Sequence, residues 1–173
     1  MSMDDLEQYE SEDESSIENT YLTFSVAGEE YAVHVSHVTE IVRLQKIFSV
    51  PDVPRHVRGV INLRGKVIPL LDVRARFGLN ETNYTDRTLV VVIEVGSSPT
   101  GLIVDGVYDV AEFPPQDIEA APTSSRGANH PLITRMGKRS DRISLIVDVP
   151  SLVASSVETR HKAREIGVAE PQY

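Results

Sequence analysis

The chain has 173 residues, 40% of them hydrophobic, with no Trp and no Cys, which gives room for one ordinary domain or two small ones. The absence of Cys excludes disulfides, thiolate metal sites and a Cys nucleophile, and it fits a reducing cytoplasm. The net charge of −9 comes almost wholly from the first twenty residues, with eight acids and no Lys or Arg; the remainder carries 18 acids against 17 bases, so total charge says little about function.

No apolar run approaches the ~20 residues a membrane-spanning helix needs; the longest is Leu89 to Ile93. The N-terminus is acidic rather than basic and then apolar, so a cytoplasmic protein is the default. Residues 1–20, rich in Asp, Glu and Ser, are expected to form a disordered acidic tail, because they cannot bury enough apolar surface to offset their ordering entropy. From Tyr21 the pattern changes. Leu22, Phe24 and Val26 alternate with polar residues, Gly28 and two Glu make a turn, and Tyr31, Val33 and Val35 alternate again, predicting a hairpin with one buried face.

Ser36 is placed to cap a short helix through His37, Val38 and Thr39, with a strand from Glu40 to Leu44. A capping box would need Glu or Gln at position 39, so Glu40 has no capping role. A Pro-bearing loop over 49–58 leads to Gly59-Val-Ile-Asn-Leu-Arg-Gly-Lys-Val-Ile-Pro-Leu-Leu71, which reads as two strands hinged at Gly65. In it Ile61 and Leu63 face one way, and Asn62 and Arg64 the other. Arg64 stands at the hairpin tip, and Gly65 takes the positive φ the turn requires. Pro69 has no amide hydrogen, so the second strand is expected at an edge or broken by a bulge. Asp72 is a helix cap, with Val73 and Phe77 on one helical face and Gly78 as the stop.

Residues 87–95 form a β-rich run, followed by a Ser-Ser-Pro turn and a strand at 100–104. Asp105 begins a second short helix or turn, and a strand runs from Tyr108 to Phe113. Residues 114–131 read as a loop. Leu132 to Met136, a Gly137-Lys138 turn and Arg142 to Val147 make a last hairpin; Asp148 and Pro150 open a closing helix. Residues 156–173 read as a polar, frayed tail.

The pieces repeat. Val35-x-x-Val38-x-Glu40-Ile41-Val42 is echoed sixty-nine positions later by Val104-x-x-Val107-x-Asp109-Val110-Ala111, with Ser36 and Asp105 at the same cap position. Ile61 to Lys66 is echoed by Ile133 to Lys138 through the shared Gly-Lys, and Leu70 to Val73 by Ile146 to Val149. Two similar β subdomains follow, within 21–155 and with the second half beginning near 87, and short strands with Gly and Pro turns favour small barrels.

The motifs Tyr31-Ala-Val-x-Val-x-x-Val-x-Glu-Ile, Asn62-Leu-Arg-Gly, Leu71-Asp-Val-Arg-x-x-Phe-Gly and Val104-Asp-Gly-Val together resemble the CheW family of bacterial chemotaxis coupling proteins. The resemblance covers about Tyr21 to Ser155. It implies a mainly β fold of two intertwined SH3-like five-stranded barrels packed on a shared core, with short capping helices. It also implies a non-enzymatic adaptor that joins the regulatory domain of the histidine kinase CheA to the cytoplasmic tips of chemoreceptors, with no cofactor. By motif match it places Val38, Glu40, Gly59, Asn62, Arg64 and Val107 on partner-binding surfaces, and leaves open which of them face kinase and which receptor. An alternative is the same scaffold in a non-flagellar pathway, such as surface motility or second-messenger control.

The residues also admit plainer explanations. Arg64 could pair with Glu40 on the surface, an exposed pair worth ~0 to 1 kcal/mol, whereas a central Arg at an interface can be worth ~2 kcal/mol or more. Periodicity alone makes Val38 and Val107 core residues, and backbone geometry accounts for Gly59 and Gly65. Asp72 and Asp148 act as caps, worth ~1 kcal/mol each, rather than as catalytic carboxylates. His34 and His37 lack a third metal ligand. Arg55, Arg58, Arg64, Lys66, Arg74 and Arg76 could form a nucleic-acid surface on a small barrel, but only Phe48 and Phe77 are near for stacking, so a protein partner is preferred.

Overall fold

The computed structural model describes residues 17–121, 132–154 and 163. β1 (Thr20–Val26) and β2 (Glu29–His34) form where apolar and polar residues alternate. They join through Ala27 and Gly28 at φ 53° and 80°, the pattern of a type I′ turn, whose twist suits a two-residue hairpin. A single 3-10 turn over Val35–His37 leads into β3 (Val38–Arg43). β4 (Val57–Leu63) and β5 (Lys66–Asp72) form the next hairpin, closed by α1 (Val73–Arg76). β6 (Leu89–Val95), β7 (Ser98–Val104) and β8 (Gly106–Glu112) follow. A 3-10 turn over Pro115–Asp117, β9 (Ile118–Ala120), the hairpin of β10 (Ile133–Arg139) and β11 (Arg142–Val147), and α2 (Val149–Leu152) complete the described chain.

The strands form two sheets, ordered β8-β1-β2-β11-β10-β9 and β3-β6-β7-β5-β4. Replacing each strand of the second order by its counterpart in the repeat gives the first, with β9 added at one edge. The halves are not laid side by side, however. Each sheet takes a hairpin from one half and its remaining strands from the other, so the hairpins β1–β2 and β6–β7 are exchanged. Parallel pairing seals each exchange, β2 with β11 at Ala32↔Ile146 and β5 with β7 at Leu70↔Gly101. A small residue faces a bulky one at each seam. A Cβ on Gly101 would come within 2.7 Å of both Leu70 and Val90 side chains.

The largest core cluster lies between the sheets and draws on both, with Phe24, Tyr31 and Val147 from one and Leu71, Val91, Ile93 and Leu102 from the other. Tyr31 stacks on Phe24 and on Phe77, at 6.0 and 5.0 Å between ring centroids. Each such side chain contributes about 1.5–3 kcal/mol by burial, so the exchanged strands are held by the interior.

Several local expectations are corrected. His34, not Ser36, is the N-cap of the first turn, accepting from the Ser36 amide at 3.1 Å. One 3-10 turn suffices, and the β-branched Val38 and Thr39 belong to the strand. Asp105 opens no helix; the chain bends there and β8 starts at once. The turn before β7 is Gly96-Ser97, and Ser98 and Pro99 lie within the strand. β5 lies inside its sheet, but its ladder with β7 is confined to Leu70–Asp72, so Pro69 sits just before it, where β4 is the paired neighbour. Gly137 lies within β10 rather than in a turn. A Cβ there would meet the Phe113 ring at 2.7 Å, and the turn is made by Ser140, at φ 55°, and Asp141.

Asp72 caps α1 as expected, accepting from the Ala75 amide at 3.3 Å, but Asp148 accepts from the Ser151 hydroxyl at 2.8 Å instead of from an amide. Residues 114–121 include a 3-10 turn and β9, and the rest of that loop lies outside the described residues. The acidic tail falls mostly outside them too, although its last residues are tied down: Glu18 and Asn19 carbonyls accept from His34 Nε2 at 2.9 Å and the Phe113 amide at 2.8 Å. Within the supposed frayed C-terminus, Ala163 is fully buried among Val50, Val60 and Val67.

Candidate partner-binding site

The β4–β5 turn is formed by Arg64 at φ 52° and Gly65 at φ 87°, again the type I′ pattern. The Asn62 side chain closes it, its Oδ1 accepting from the Gly65 amide at 2.9 Å, an Asx arrangement that fixes the tip. Asn62 therefore shapes the hairpin that presents Arg64. From that tip Arg64, with 69% of its side chain exposed, donates through Nη2 to Glu40 Oε2 at 2.5 Å.

Glu40 lies on β3, an edge strand paired with β6 alone among the described residues. It faces the same way as the half-buried Val42, across from Val92 and Val90, while Val38 packs on the other face of the sheet, and one of its oxygens, Oε1, is enclosed without a hydrogen-bond partner. The ladder is bulged at Thr39, between Val38↔Ile93 and Glu40↔Val92, and Thr39 Oγ1 donates to the Val92 carbonyl at 3.1 Å. An inward charge and a bulge are devices that keep an exposed edge from unselective pairing. The Glu40–Arg64 pair thus links β3 to the β4–β5 tip and leaves Ile41 on the outer register, 42% exposed.

Val38 and Val107 are half-buried and pack against the shared core, as their periodicity implied. Gly59 is buried in β4, next to a bulge at Arg58. At φ 135°, an added Cβ would stand 2.2 Å from the Phe48 carbonyl oxygen. Phe48 and Val60 exchange backbone hydrogen bonds of 2.8 and 2.9 Å across this close approach. Gly59 admits the Phe48 backbone, and the side chain thereby positioned at the surface is Phe48, 37% exposed with Lys46 Nζ 5.1 Å from its ring centroid.

Four of the six cations considered for nucleic acid are engaged in ion pairs: Arg55 and Arg58 with Glu81, Arg58 also with Asp72, Arg64 with Glu40, and Arg74 with Asp105. Arg58 and then Arg55 hold the Glu81 carboxyl below its usual range, and burial followed by the Asp72 hydrogen bond at 2.7 Å pushes the Tyr84 phenol up. These contacts fasten the segment after α1 onto the β4–β5 hairpin and leave fewer free cations for a phosphate backbone. His34 and His37 turn to different partners, Ser36 Oγ at 2.7 Å and the Glu94 carbonyl at 3.4 Å. No cluster of three metal-ligating side chains occurs among the described residues.

The six-stranded sheet holds a matching arrangement that the sequence reading missed. Asp109 stands on edge strand β8 where Glu40 stands on β3. Arg139, the residue before the β10–β11 turn, pairs with it at 3.1 Å. β8 is bulged at Tyr108, the counterpart of Thr39, between Phe24↔Val107 and Thr23↔Asp109. Thr23 Oγ1 donates to Asp109 Oδ1 at 2.6 Å; this hydroxyl, then Arg139, holds the Asp109 carboxyl below its usual range. Tyr108 and Val110 are exposed, with the Arg142 guanidinium 4.9 Å from the Tyr108 ring centroid. The alignment of Ile61–Lys66 with Ile133–Lys138, which would set Met136 against Arg64, does not hold. The hairpins align at an offset of seventy-six residues, Ser140 answers Arg64, and the ion pair recurs from the neighbouring Arg139. The repeat already matched Asp109 to Glu40, and that signal could have located the site.

Residues 20–157 match the family model described as the CheW-like domain. The chain belongs to the CheW-like family. It is similar to chemotaxis protein CheW of Bacillus subtilis, 36% identical over 76% of this chain and 85% of that protein, and to that of Klebsiella aerogenes, 30% identical over 78% and 81%. Among solved structures it resembles the scaffolding protein TtCheW from Thermoanaerobacter tengcongensis, with a TM-score of 0.69, 29% identity, and coverage of 75% of this chain and 88% of that one. The two exchanged sheets are the two SH3-like barrels of the CheW-like fold. The chain is accordingly a chemotaxis coupling adaptor by family, and no described helix is long and apolar enough to cross a membrane.

Proposed function

We propose that the protein is a non-enzymatic adaptor joining the regulatory domain of the histidine kinase CheA to the cytoplasmic tips of chemoreceptors, recruited from the cytoplasm to membrane-associated receptor arrays. The observation that carries this reading is the Glu40–Arg64 pair at the edge of the five-stranded barrel, beside exposed Ile41. The pair lies on residues that match the family's motif. Edge strands with an apolar residue outward and a latched charge pair beside it suit selective protein contact, where affinity comes from apolar surface within a polar rim. The Tyr108, Val110 and Asp109–Arg139 edge on the other barrel is the second such surface, with Val107 beneath it.

The test is Arg64→Glu in a pull-down of kinase and receptor, followed by mass spectrometry of the captured kinase. Binding should weaken about thirtyfold, equivalent to loss of an interfacial Arg worth ~2 kcal/mol. The thermal melt should stay nearly unchanged, because an exposed ion pair contributes ~0 to 1 kcal/mol. Unchanged capture would remove Arg64 from the interface, and capture of a kinase outside chemotaxis would favour the non-flagellar scaffold.

A further inference from the structure

The chain crosses between barrels twice, at Val35–His37 and at Asp105, which occupy corresponding places in the repeat. The polar ties at the two crossings differ. At the second, Arg74 of α1 grips Asp105 with a forked contact, Nη2 to Oδ2 at 2.6 Å and Nε to Oδ1 at 3.3 Å. Asp105 Oδ2 also accepts from the Ala27 amide at 2.8 Å, and the Asp105 amide donates to the Ser25 carbonyl at 2.9 Å. Arg74 Nη1 donates further to the Asn80 carbonyl at 3.3 Å. One carboxylate therefore binds α1, on the five-stranded side, to the β1–β2 turn on the six-stranded side. The pair is largely shielded, with side-chain exposures of 21% and 36%. It has no counterpart in the repeat, since Pro150 stands where Arg74 would be.

Immediately after Asp105 comes β8, whose one paired neighbour among the described residues is β1. β8 begins at Gly106 and buries little of itself, with Tyr108, Asp109 and Val110 exposed and Ala111 its one buried residue; register is weakly specified where little of a strand is buried, and a slip of one residue moves every side chain to the opposite face. The Tyr108 bulge makes register more critical, because Val107 must pair with Phe24 and Asp109 with Thr23 on either side of it. We infer that Arg74 and Asp105 are positioning residues for the second docking edge: their pair fixes where β8 starts, and so sets Asp109 against Arg139 and holds Tyr108 and Val110 outward. This rests on the reading of that edge as a partner surface, but its test needs no partner.

The experiment is residue-resolved amide hydrogen exchange on the isolated full chain, comparing the parent with Asp105→Asn, Arg74→Gln and the double variant. Asp105→Asn keeps an oxygen for the Ala27 amide and removes the charge that Arg74 grips. Exchange across Val107 to Val110 should quicken about tenfold in each single variant, with little further change in the double, while β6 and β7 keep their protection. Arg74→Lys should fall between parent and Arg74→Gln, because an ammonium keeps the charge without the fork. Unchanged β8 exchange in both single variants, or an equal rise in both barrels, would overturn the inference. Loss of kinase or receptor capture with β8 exchange intact would bear on the partner surface alone.

Discussion

Arg64 serves two roles that pull in different directions. The turn wants a residue content with positive φ, and Arg at 52° is not a favoured choice there. Asn-Gly is the preferred type I′ pair, whereas Arg-Gly gives up some turn stability to place a guanidinium at the tip. Arg64→Asn should therefore leave the thermal midpoint unchanged or slightly raised while weakening capture of the kinase or receptor. Parallel melts and pull-downs check this, and a lowered midpoint would mean the Glu40 contact matters more to the fold than the turn does. Gly65 was legible from sequence because the hairpin demanded a positive φ. Asn62 and Gly59 were less so. Alternation put Asn62 on the outer face, but its amide oxygen turns back to the Gly65 amide. The reason for Gly59 lies in Phe48, eleven residues earlier, whose approach no local pattern announces.

At the scale of elements, β3 and β8 are the same device built twice: an edge strand with one bulge, an inward acid, an Arg from the hairpin of its own half, and an apolar residue outward. The periodic strands and the repeat were visible in the chain because alternation survives wherever one face is buried. The bulges were not, since an extra residue in the ladder depends on a partner strand that is distant in sequence. That is why the last hairpin was aligned on its Gly-Lys and not on its turn. The two acids also differ in their partners. Asp109 gains a Thr23 hydroxyl as well as an Arg, which lowers its pKa in the folded state. A depressed carboxyl contributes stability that is full above its unfolded value, near pH 4, and is lost as pH falls through the lower folded value. Acidification below about pH 4 should thus lower the protection of β8 amides relative to their intrinsic exchange rate, and Asp109→Asn should flatten that dependence. A β8 profile that stays acid-sensitive in Asp109→Asn would assign the effect to another group.

For the whole molecule, the exchange of the β1–β2 and β6–β7 hairpins is the property that a repeat read in one dimension could not reveal. Matched motifs in preserved order suggest two units in series, and nothing in the residues of 35–38 or 104–107 says that the chain leaves one barrel for the other at each. The information lies in the parallel seams, where Ala32 and Gly101 admit Ile146 and Leu70, and in a core that draws Phe24 and Tyr31 from one sheet and Leu71 and Leu102 from the other. Neither half of the sequence contains all the strands of either barrel. The first half alone would expose the faces of β1 and β2 meant for β8 and β11, and would leave β3 without β6. Burial worth about 1.5–3 kcal/mol per large apolar side chain would then be missing across much of the shared core, more than a domain's net stability of roughly 5–15 kcal/mol can absorb. Cutting the chain between 86 and 87, ahead of β6, should therefore give two fragments that are each unfolded alone by circular dichroism and by amide dispersion in NMR. Mixed or co-expressed, they should recover the parent spectrum as a one-to-one complex. A well-dispersed spectrum from either fragment alone would mean that a barrel can close on strands of one half, and that the exchange is a choice of packing rather than a condition of folding.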